Sequence, residues 1–459
     1  MRRFSPLFMV LIALALVAGS ASAAGGQEAA EAESGELMLW TSEEQPERLD
    51  VQRSINARFE EQTGIPVEVV PVTESDMGER VTAAFSAGEL PDVIAHPLNY
   101  ALTWYDSGIL DATASAEVVE ELGPDTFGVG ALDLVETSDG YASVPLSGWT
   151  QLLVYREDLF EEAGLEPPTS YEAVRAAIAE LHDPPEMYGF VAATDPSEAY
   201  MMQVFEHIAL ANGAHIVDAD GNVDVMGEEW TETLEFYKEL VDASPSGNLY
   251  WQQSRDLYFA GEAAMVVWSP FIMDELAGLR DAAPVTAFDD PTSRRLAEAT
   301  SFITRFAGPQ NPEGSGWTEV FYLGITVDAD IDAAQQFVGF SLTDAYSDTL
   351  GMAAEGKFPV RTGTPDEPDR FVGEWRELEI GVDRRATLEE IYSDATIDRL
   401  LEGFEMGSRW GFAEGYGGLT SQLYDTRIIA ELVREYLDGD MSVEETQEEI
   451  QSEIESLID

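Results

Sequence analysis

The chain contains no cysteine among its 459 residues, and it has few basic residues. Without cysteine there can be no disulfide bonds and no thiolate chemistry, so the fold must depend on its apolar cores. Lysine and arginine together number 24, against 88 aspartate and glutamate residues, and the formal net charge is −64. Such an acidic chain is repelled by nucleic acid and by anionic membrane surfaces, so neither is expected as a partner.

The acidic residues are spread along the whole chain rather than collected in one tail. This distribution favours a solvated surface suited to high salt over a cation-binding role, because binding a cation requires carboxylates that converge. Histidine is also scarce, and His96, His182, His207 and His215 are too scattered for a metal-binding motif. The sequence therefore predicts neither a metal site nor a cofactor.

Long apolar runs are missing apart from one near the start, Leu7 to Ala18, which follows Arg2 and Arg3 and precedes an Ala21-Ser22-Ala23 cleavage motif. This pattern is typical of a secretory signal peptide, predicted over residues 1–23, and the small polar residues 24–35 are predicted to form a disordered tether. An exported chain without the cysteine needed for a lipid anchor is expected to be free in a periplasm. A secreted enzyme is the competing interpretation.

Strand and helix patterns alternate in the first part of the mature chain. Leu37 to Trp40, Pro66 to Val72 and Pro91 to Ala95 are typical of buried strands, and helical patterns ending near Gly64 and Ser86 lie between them. This order predicts a parallel sheet with right-handed crossovers. The first domain is therefore predicted to be α/β.

The stretch from Tyr258 to Phe271 predicts where a ligand binds. Gly261 suits the end of a helix, and the apolar run Ala263 to Val267 is long enough for one buried strand that delivers Trp268 and stops at Ser269-Pro270. In open α/β sheets the carboxyl ends of strands are where ligands bind. Trp268 is thus either a ligand-stacking residue or a core tryptophan.

Two motifs with a chemical meaning have simpler explanations. Residues 351–357 match G-x-x-x-x-G-K, but Phe358 stands where a phosphate-binding loop needs serine or threonine, so a helix end is predicted. Residues 218–224 resemble a calcium loop with its glycine misplaced, and a hairpin turn at Asp220-Gly221-Asn222 is preferred, with a weak surface calcium site as the alternative. No nucleophile or metalloprotease motif occurs, so no enzyme is predicted.

The chain resembles the family 1 solute-binding proteins of ABC importers, the relatives of maltose-binding protein. The resemblance rests on the order of several short motifs between residues 36 and 457: Leu90-Pro91-Asp92-Val93, Ser107-Gly108-Ile109-Leu110, Val144-Pro145, Tyr155 with Asp158-Leu159-Phe160, Ala163-Gly164-Leu165, Pro167-Pro168-Thr169, the 258–271 stretch, Gly356-Lys357-Phe358-Pro359-Val360, and a last helix capped by Ser442 and Glu445. It implies the type II periplasmic-binding-protein fold, in which two α/β lobes enclose a cleft.

The resemblance also implies three crossings between the lobes, expected near 144–149, 302–309 and 357–362. The N-terminal lobe is then expected over 36–146 and 303–358, and the C-terminal lobe over 147–302 and 359–459. The implied partners are a small solute and the membrane permease of an importer, and the protein is expected to act as a monomer.

A sugar site needs aromatic rings for C–H faces and polar side chains for hydroxyl groups. Residues of both kinds stand at or after predicted strand ends, in the first crossing, after the glycine-rich segment 314–316 or before the last helices: Trp40, Glu44, Gln45, His96, Asn99, Tyr100, Trp149, Asp195, Trp268, Ser269, Trp317, Trp410 and Tyr416. By the resemblance, Glu44, Gln45, His96, Asn99, Trp149, Asp195 and Trp268 fall on ligand positions of maltose-binding relatives. Their side chains differ from those of a maltose binder, so the position of the site carries over and maltose specificity does not.

The function expected from these features is periplasmic delivery of a carbohydrate, a mono- or oligosaccharide, to an ABC importer. Another solute class such as a polyamine is the first alternative, since acidic and aromatic residues together suit a cation. A secreted hydrolase is the second.

Overall fold

The structure is a computed structural model that describes residues 35–128 and 130–458. The predicted signal peptide and all of the predicted tether except Gly35 lie outside the described residues. The strands are β1 Leu37–Thr41, β2 Val67–Pro71, β3 Val93–Pro97, β4 Glu136–Thr137, β5 Gly140–Tyr141, β6 Val144–Thr150, β7 Leu152–Arg156, β8 Met265–Trp268, β9 Thr300–Ile303, β10 Gly316–Ile325, β11 Phe358–Pro359, β12 Glu379–Ile380, β13 Ala386–Thr387 and β14 Gly407–Ser408.

The helices surround these strands and begin and end close to the predicted signals. They are α1 Pro46–Thr63, α2 Glu74–Ala87, α3 Leu98–Asp106, α4 Ala112–Leu122, α5 Glu157–Ala163, α6 Tyr171–Leu181, α7 Ala199–Ala211, α8 Glu228–Asp242, α9 Trp251–Phe259, α10 Met273–Leu276, α11 Arg295–Glu298, α12 Ile331–Ser341, α13 Tyr346–Leu350, α14 Arg370–Arg376, α15 Leu388–Ile391, α16 Asp394–Glu405, α17 Gly417–Thr426, α18 Ile428–Asp438 and α19 Val443–Ile458.

The first lobe is built on a mixed sheet with strand order β11-β6-β10-β3-β1-β2, and β14 also pairs with β10. Strands β2 and β3 both run parallel to β1, which confirms the predicted parallel unit. Strand β10 is antiparallel to β3 and to β6, so the sheet becomes mixed toward its other edge. Because β1 and β3 are adjacent and parallel, the loops that follow them open at the same edge of the sheet.

The second lobe contains a smaller antiparallel sheet of order β8-β7-β9. The stretch that predicted a ligand site has the expected form, because α9 ends before Gly261 in the left-handed region (φ 75°) and β8 delivers Trp268 to the end of the sheet. The hairpin predicted at 218–224 is also present, with Val217 bridged to Val223. Ser170 caps α6, and Ser442 with Glu445 forms the capping interaction predicted before α19.

The chain passes from the first sheet to the second at Gln151, between β6 and β7, and returns between β9 and β10. The predicted crossing at 144–149 falls within β6, just before this passage at Gln151. After β11, helix α14 still contacts the first lobe, since Trp375 Nε1 donates to the Ala354 carbonyl (2.7 Å) and Phe371 packs edge-on against Tyr346. The lobe limits remain a prediction, and these contacts favour a third crossing later than residue 358.

Candidate functional site

A cavity of about 1410 Å³ lies between the lobes. Its volume exceeds the roughly 300–1,000 Å³ of ordinary small-molecule sites, so more than one sugar ring can be accommodated. Its walls come from the loop after β1, from α2 and α3, from the starts of α7 and α9, from the loop after β8, and from α17, with β6 and β10 below. We call this cavity the cleft.

Seven of the predicted site residues line the cleft: Glu44, Gln45, Asn99, Tyr100, Trp149, Trp268 and Ser269. They come from the ends of β1, β3, β6 and β8, which the fold brings to one region. Five of the seven follow a strand, as expected for residues at the carboxyl edge of a sheet, whereas Trp149 and Trp268 are near or at the last residue of β6 and β8.

Trp268 belongs to an aromatic wall on the second lobe. Its ring stacks on Trp251 with centroids 5.0 Å apart and an interplanar angle of 15°, and it meets Tyr200 edge-on at 5.1 Å. The Tyr200 hydroxyl donates to the Val267 carbonyl (2.7 Å), which fixes that ring. Tyr250 packs against both Tyr200 and Trp251. Such a wall offers flat apolar faces of the kind that sugar rings stack on.

Sequence reasoning missed three members of this wall, Tyr200, Tyr250 and Trp251, because it considered aromatic residues at strand ends and in the glycine-rich segments near the C-terminus. These residues stand instead at the first turns of α7 and α9, whose N-termini face the cleft. The adjacent aromatic residues Tyr250 and Trp251 at the start of α9 are the sequence feature that could have indicated this wall.

The opposite wall is formed by α2 and α3 of the first lobe. Tyr100 stacks on Trp104 with centroids 4.5 Å apart and an interplanar angle of 9°. Glu74 and Glu79 also line this side. The first lobe thus combines one aromatic pair with carboxylates.

Two predicted residues on the first sheet do not reach the cleft, because their side chains face the core. Trp40 is 8% exposed, packs under α2, and its Nε1 donates to Met38 Sδ (3.3 Å). His96 is fully buried between the carbonyl of Pro97 and the hydroxyl of Ser143, each at 2.8 Å. Burial lowers the pKa of His96 to about 4, so the ring is neutral at pH 7.

Four more predicted residues lie elsewhere. Trp317 and Trp410 are fully buried below the cleft, and Trp410 stacks on Trp230. The Asp195 carboxylate accepts hydrogen bonds from the backbone and hydroxyl of its own neighbour Ser197, and Asp195 does not line the cleft. Tyr416 packs against the hairpin turn at Gly221. None of the four belongs to the cleft lining.

A buried charge network supports the cleft floor. Arg409 Nη1 lies 3.0 Å from Glu319 Oε2, and its Nε lies 3.2 Å from Glu206 Oε1. The Tyr424 hydroxyl also donates to Glu206, and Trp410 N donates to it at 2.6 Å. Burial raises the pKa of Glu319 and the nearby guanidinium opposes this shift. The network joins α7 of the second lobe to β10 of the first.

A second charged group lies at the side of the cleft where α1 meets the turn before β11. Lys357 Nζ is 2.6 Å and Arg48 Nη1 is 2.9 Å from the Glu43 carboxylate. Burial disfavours the charged carboxylate, but the two cations outweigh burial and hold the pKa of Glu43 at about 2. The G-x-x-x-x-G-K segment is therefore a helix end followed by a structural lysine.

A direct contact also links the lobes. Arg280, which follows α10 in the second lobe, donates to Gln45 Oε1 (2.8 Å) and Glu47 Oε1 (2.7 Å) at the start of α1. Gln45 and Arg280 both line the cleft. A change in the separation of the lobes would therefore break or remake these hydrogen bonds.

Helix starts supply backbone donors to the same space. Helices α1, α2 and α7 begin after Gln45, Thr73 and Glu198, and none of these three N-cap residues makes a side-chain capping bond. The first N–H groups of a helix have no partner inside the helix. They can therefore donate to ligand oxygens, and the helix dipole favours electron-rich groups at that end, which at α2 and α7 include the carboxylates of Glu74 and Glu198.

Within the described part of the chain, no group of three or more histidine, aspartate or glutamate side chains is arranged to hold a metal ion. In the 218–224 hairpin, the Asp218 carboxylate accepts hydrogen bonds from the backbone N–H groups of Asp220 and Asn222, both at 2.9 Å.

No helix in residues 35–128 and 130–458 combines the length and apolar character needed to cross a bilayer.

Two solved structures with a bound sugar share this fold. A Thermotoga lettingae solute-binding protein with bound α-D-tagatose matches with a TM-score of 0.72 at 18% identity, covering 93% of this chain and all of that one. Maltose-bound MalE3 of T. maritima matches with a TM-score of 0.68 at 18% identity, covering 92% of this chain and all of that one. These likenesses establish the type II periplasmic-binding-protein fold.

Residues 44–347 match the family model of the bacterial extracellular solute-binding proteins, and the chain belongs to this family. YcjN of Escherichia coli (strain K12), named as an ABC transporter periplasmic-binding protein, is 28% identical over 320 residues, which are 68% of this chain and 70% of YcjN. The mannitol-binding protein of Pseudomonas aeruginosa is 26% identical over 234 residues, 48% of this chain and 49% of the relative. The chain is a solute-binding protein of an ABC transporter.

Proposed function

We propose that this protein binds a carbohydrate in the cleft and delivers it, in the periplasm, to the membrane permease of an ABC importer. The observation that carries the proposal is the pairing of an aromatic wall, Tyr200, Tyr250, Trp251 and Trp268, with a polar wall across the same cavity. Sugars have both apolar C–H faces and hydroxyl groups, and such a cleft complements both. The sugars bound by the neighbouring structures support the same class.

The arrangement also supports a binding role that includes lobe closure. The two walls lie on different lobes, and the contacts of Arg280 with Gln45 and Glu47 join those lobes beside the cleft. A solute held by both walls favours the conformation in which the walls are close, and the permease then recognises that form. Binding energy is used for closure and recognition, with no covalent step.

A thermal-shift screen tests the proposal directly. A panel of hexoses, polyols and disaccharides is compared with amino acids and polyamines at equal concentrations. A sugar present at a hundred times its Kd adds about 2.7 kcal/mol to the free energy of unfolding and raises the melting temperature. Stabilisation by amino acids or polyamines alone, with no response to any carbohydrate, would contradict the proposed solute class.

A further inference from the structure

The cleft carries carboxylates that form no ion pair within the described residues. Glu44, Glu74, Glu79 and Glu198 line it, and within the described residues none of them belongs to an ion pair. Two lining guanidinium groups are already engaged, Arg48 with Glu43, and Arg280 with Glu47 and Gln45. Arg427 and Asp425 both line the cleft, and the charge of Arg427 opposes the rise that burial causes in the pKa of Asp425. The free side-chain charge of the cleft is therefore negative.

Glu74 is where these charges converge. It begins α2 on the first lobe, while Glu198 stands at the start of α7 on the second lobe and Glu319 lies on the floor. The cleft walls surround the Glu74 carboxylate although water reaches it. Burial between the walls, followed by the charges of Glu319, Glu43 and Glu198, raises the pKa of Glu74 to about 7.

An independent feature of the floor also requires a hydrogen-bond donor. Gln151 lines the cleft, is 1% exposed, and its Oε1 has no hydrogen-bond partner within the described residues. A buried acceptor without a donor costs free energy, so a ligand donor that reaches Oε1 would be favoured. Both Gln151 and the free carboxylates thus favour a ligand that donates hydrogen bonds.

The neighbouring rings add a second attraction for positive charge. Tyr250 and Tyr100 both line the cleft, and burial raises the pKa of each to about 12, with Glu74 among the charges that add to the shift. Their rings therefore lie within electrostatic range of Glu74. The face of an aromatic ring attracts cations. An ammonium group has three donors and no acceptor, whereas a hydroxyl group has both.

We propose that the cleft prefers carbohydrates that carry a primary ammonium group, and that Glu74 receives this group opposite Glu198. This inference rests on the proposed carbohydrate function and narrows its solute class. The ammonium group supplies the positive charge that the carboxylates between the walls lack, while the sugar ring stacks on the aromatic wall. An ammonium group adds the attraction of opposite charges to its hydrogen bond with a carboxylate, and a hydroxyl group at the same place lacks that attraction.

The test compares matched pairs by isothermal titration calorimetry at pH 7 and roughly 0.05 M salt, where screening is weak. The pairs are glucosamine with glucose, galactosamine with galactose, mannosamine with mannose, and the β-1,4-linked disaccharide of glucosamine with cellobiose. At pH 7 an amine with a pKa of about 8 is mostly protonated. In at least one pair the amino sugar is expected to bind about 10- to 100-fold more tightly, the range of a hydrogen bond to a charged group.

Two variants assign the effect to the cleft. Glu74→Gln keeps the size of the side chain and removes its charge, and it is expected to reduce the advantage of the amino sugar to within about threefold, which corresponds to a residual difference below 1 kcal/mol. Glu89→Gln removes an exposed charge just beyond α2 and outside the cleft, and it is expected to leave the advantage unchanged. Circular dichroism and the unfolding midpoint check that both variants fold.

The outcomes separate this inference from the proposed function. Neutral sugars that bind as tightly as their amino partners overturn the ammonium preference and leave the carbohydrate function standing. An advantage that survives Glu74→Gln overturns the assignment to Glu74. Spermidine, included as a cation without a sugar ring, would overturn both proposals if it bound tightly while no sugar of either kind bound.

Discussion

Replacing Trp268 with alanine removes the central ring of the aromatic wall. Trp268 is half-buried and lines the cleft, so the ring contributes both to ligand contact and to its own lobe. If it stacks on the ligand, truncation is expected to weaken binding by about 2–4 kcal/mol, the range of a central hot spot. This corresponds to a Kd increased by roughly 30- to 1,000-fold.

The cost in stability follows from the contacts of the ring. Trp268 makes two aromatic pairs, with Trp251 and with Tyr200. Each such pair contributes about 0.5–1.5 kcal/mol beyond the area that it buries, so losing the two pairs alone is expected to lower the free energy of unfolding by about 1–3 kcal/mol. A fully buried tryptophan would cost about 3–5 kcal/mol when truncated. The structure therefore predicts that Trp268→Ala affects binding at least as strongly as stability.

The assay combines calorimetric titration of the best-binding sugar with urea unfolding of the free protein. Trp268→Phe keeps a smaller ring and is expected to retain part of the affinity. Trp230→Phe is the matched control, because Trp230 is fully buried, donates to the His215 carbonyl (2.7 Å) and does not line the cleft. This control should lose stability and keep its Kd. A strongly destabilised Trp268→Ala protein with normal affinity would refute the placement of the binding wall.

Three further outcomes are expected. Glu43 has a pKa of about 2 in the folded state and an ordinary value of 4.5, so its ion pairs should contribute about 3 kcal/mol to the free energy of unfolding above pH 4.5 and lose this contribution as the pH falls toward 2. The urea midpoints of wild type and Glu43→Gln should therefore converge as the pH falls from 7 to 3. Parallel curves would contradict the pairing. Arg409→Leu leaves Glu206 and Glu319 buried without their cation and should cost about 3–5 kcal/mol in unfolding free energy, and a cost below 1 kcal/mol would show that the network is not needed. Because self-repulsion of the acidic surface is screened by salt, the melting temperature should rise as NaCl increases from roughly 0.05 to 2 M, and a flat or falling curve would reopen a specific role for the acids.

Much of the fold is readable from local sequence because each element carries its own signals. The strand pattern of Leu37 to Trp40 and the glycine at position 64 act within a few residues, and the structure places β1 and the end of α1 accordingly. The register of β10 between β3 and β6 depends instead on contacts across more than a hundred residues. No local signal predicted that antiparallel insertion.

The site was predictable where loops follow strands and, at Trp149 and Trp268, where a residue near the end of a strand faces the cleft. Glu44, Asn99 and Ser269 lie beyond strand ends and reach the cleft, whereas Trp40 and His96 lie inside strands and pack inward. Alternation along a strand does not reveal which face is covered by a helix such as α2.

Trp317 and Trp410 were misplaced for another reason. Both are covered by residues distant in sequence, and Arg409 lies 4.5 Å over the ring of Trp317 while Trp230 stacks on Trp410. Burial of this kind depends on tertiary packing, which local pattern does not encode.

A carbohydrate that binds between the two lobes is expected to draw them together. Small-angle scattering of the protein without sugar and with a saturating amount of the best-binding sugar measures this most directly. We expect a smaller radius of gyration at saturation and an unchanged far-ultraviolet circular dichroism spectrum, because the lobes move as rigid bodies and keep their secondary structure. An unchanged radius of gyration at proven saturation would contradict it.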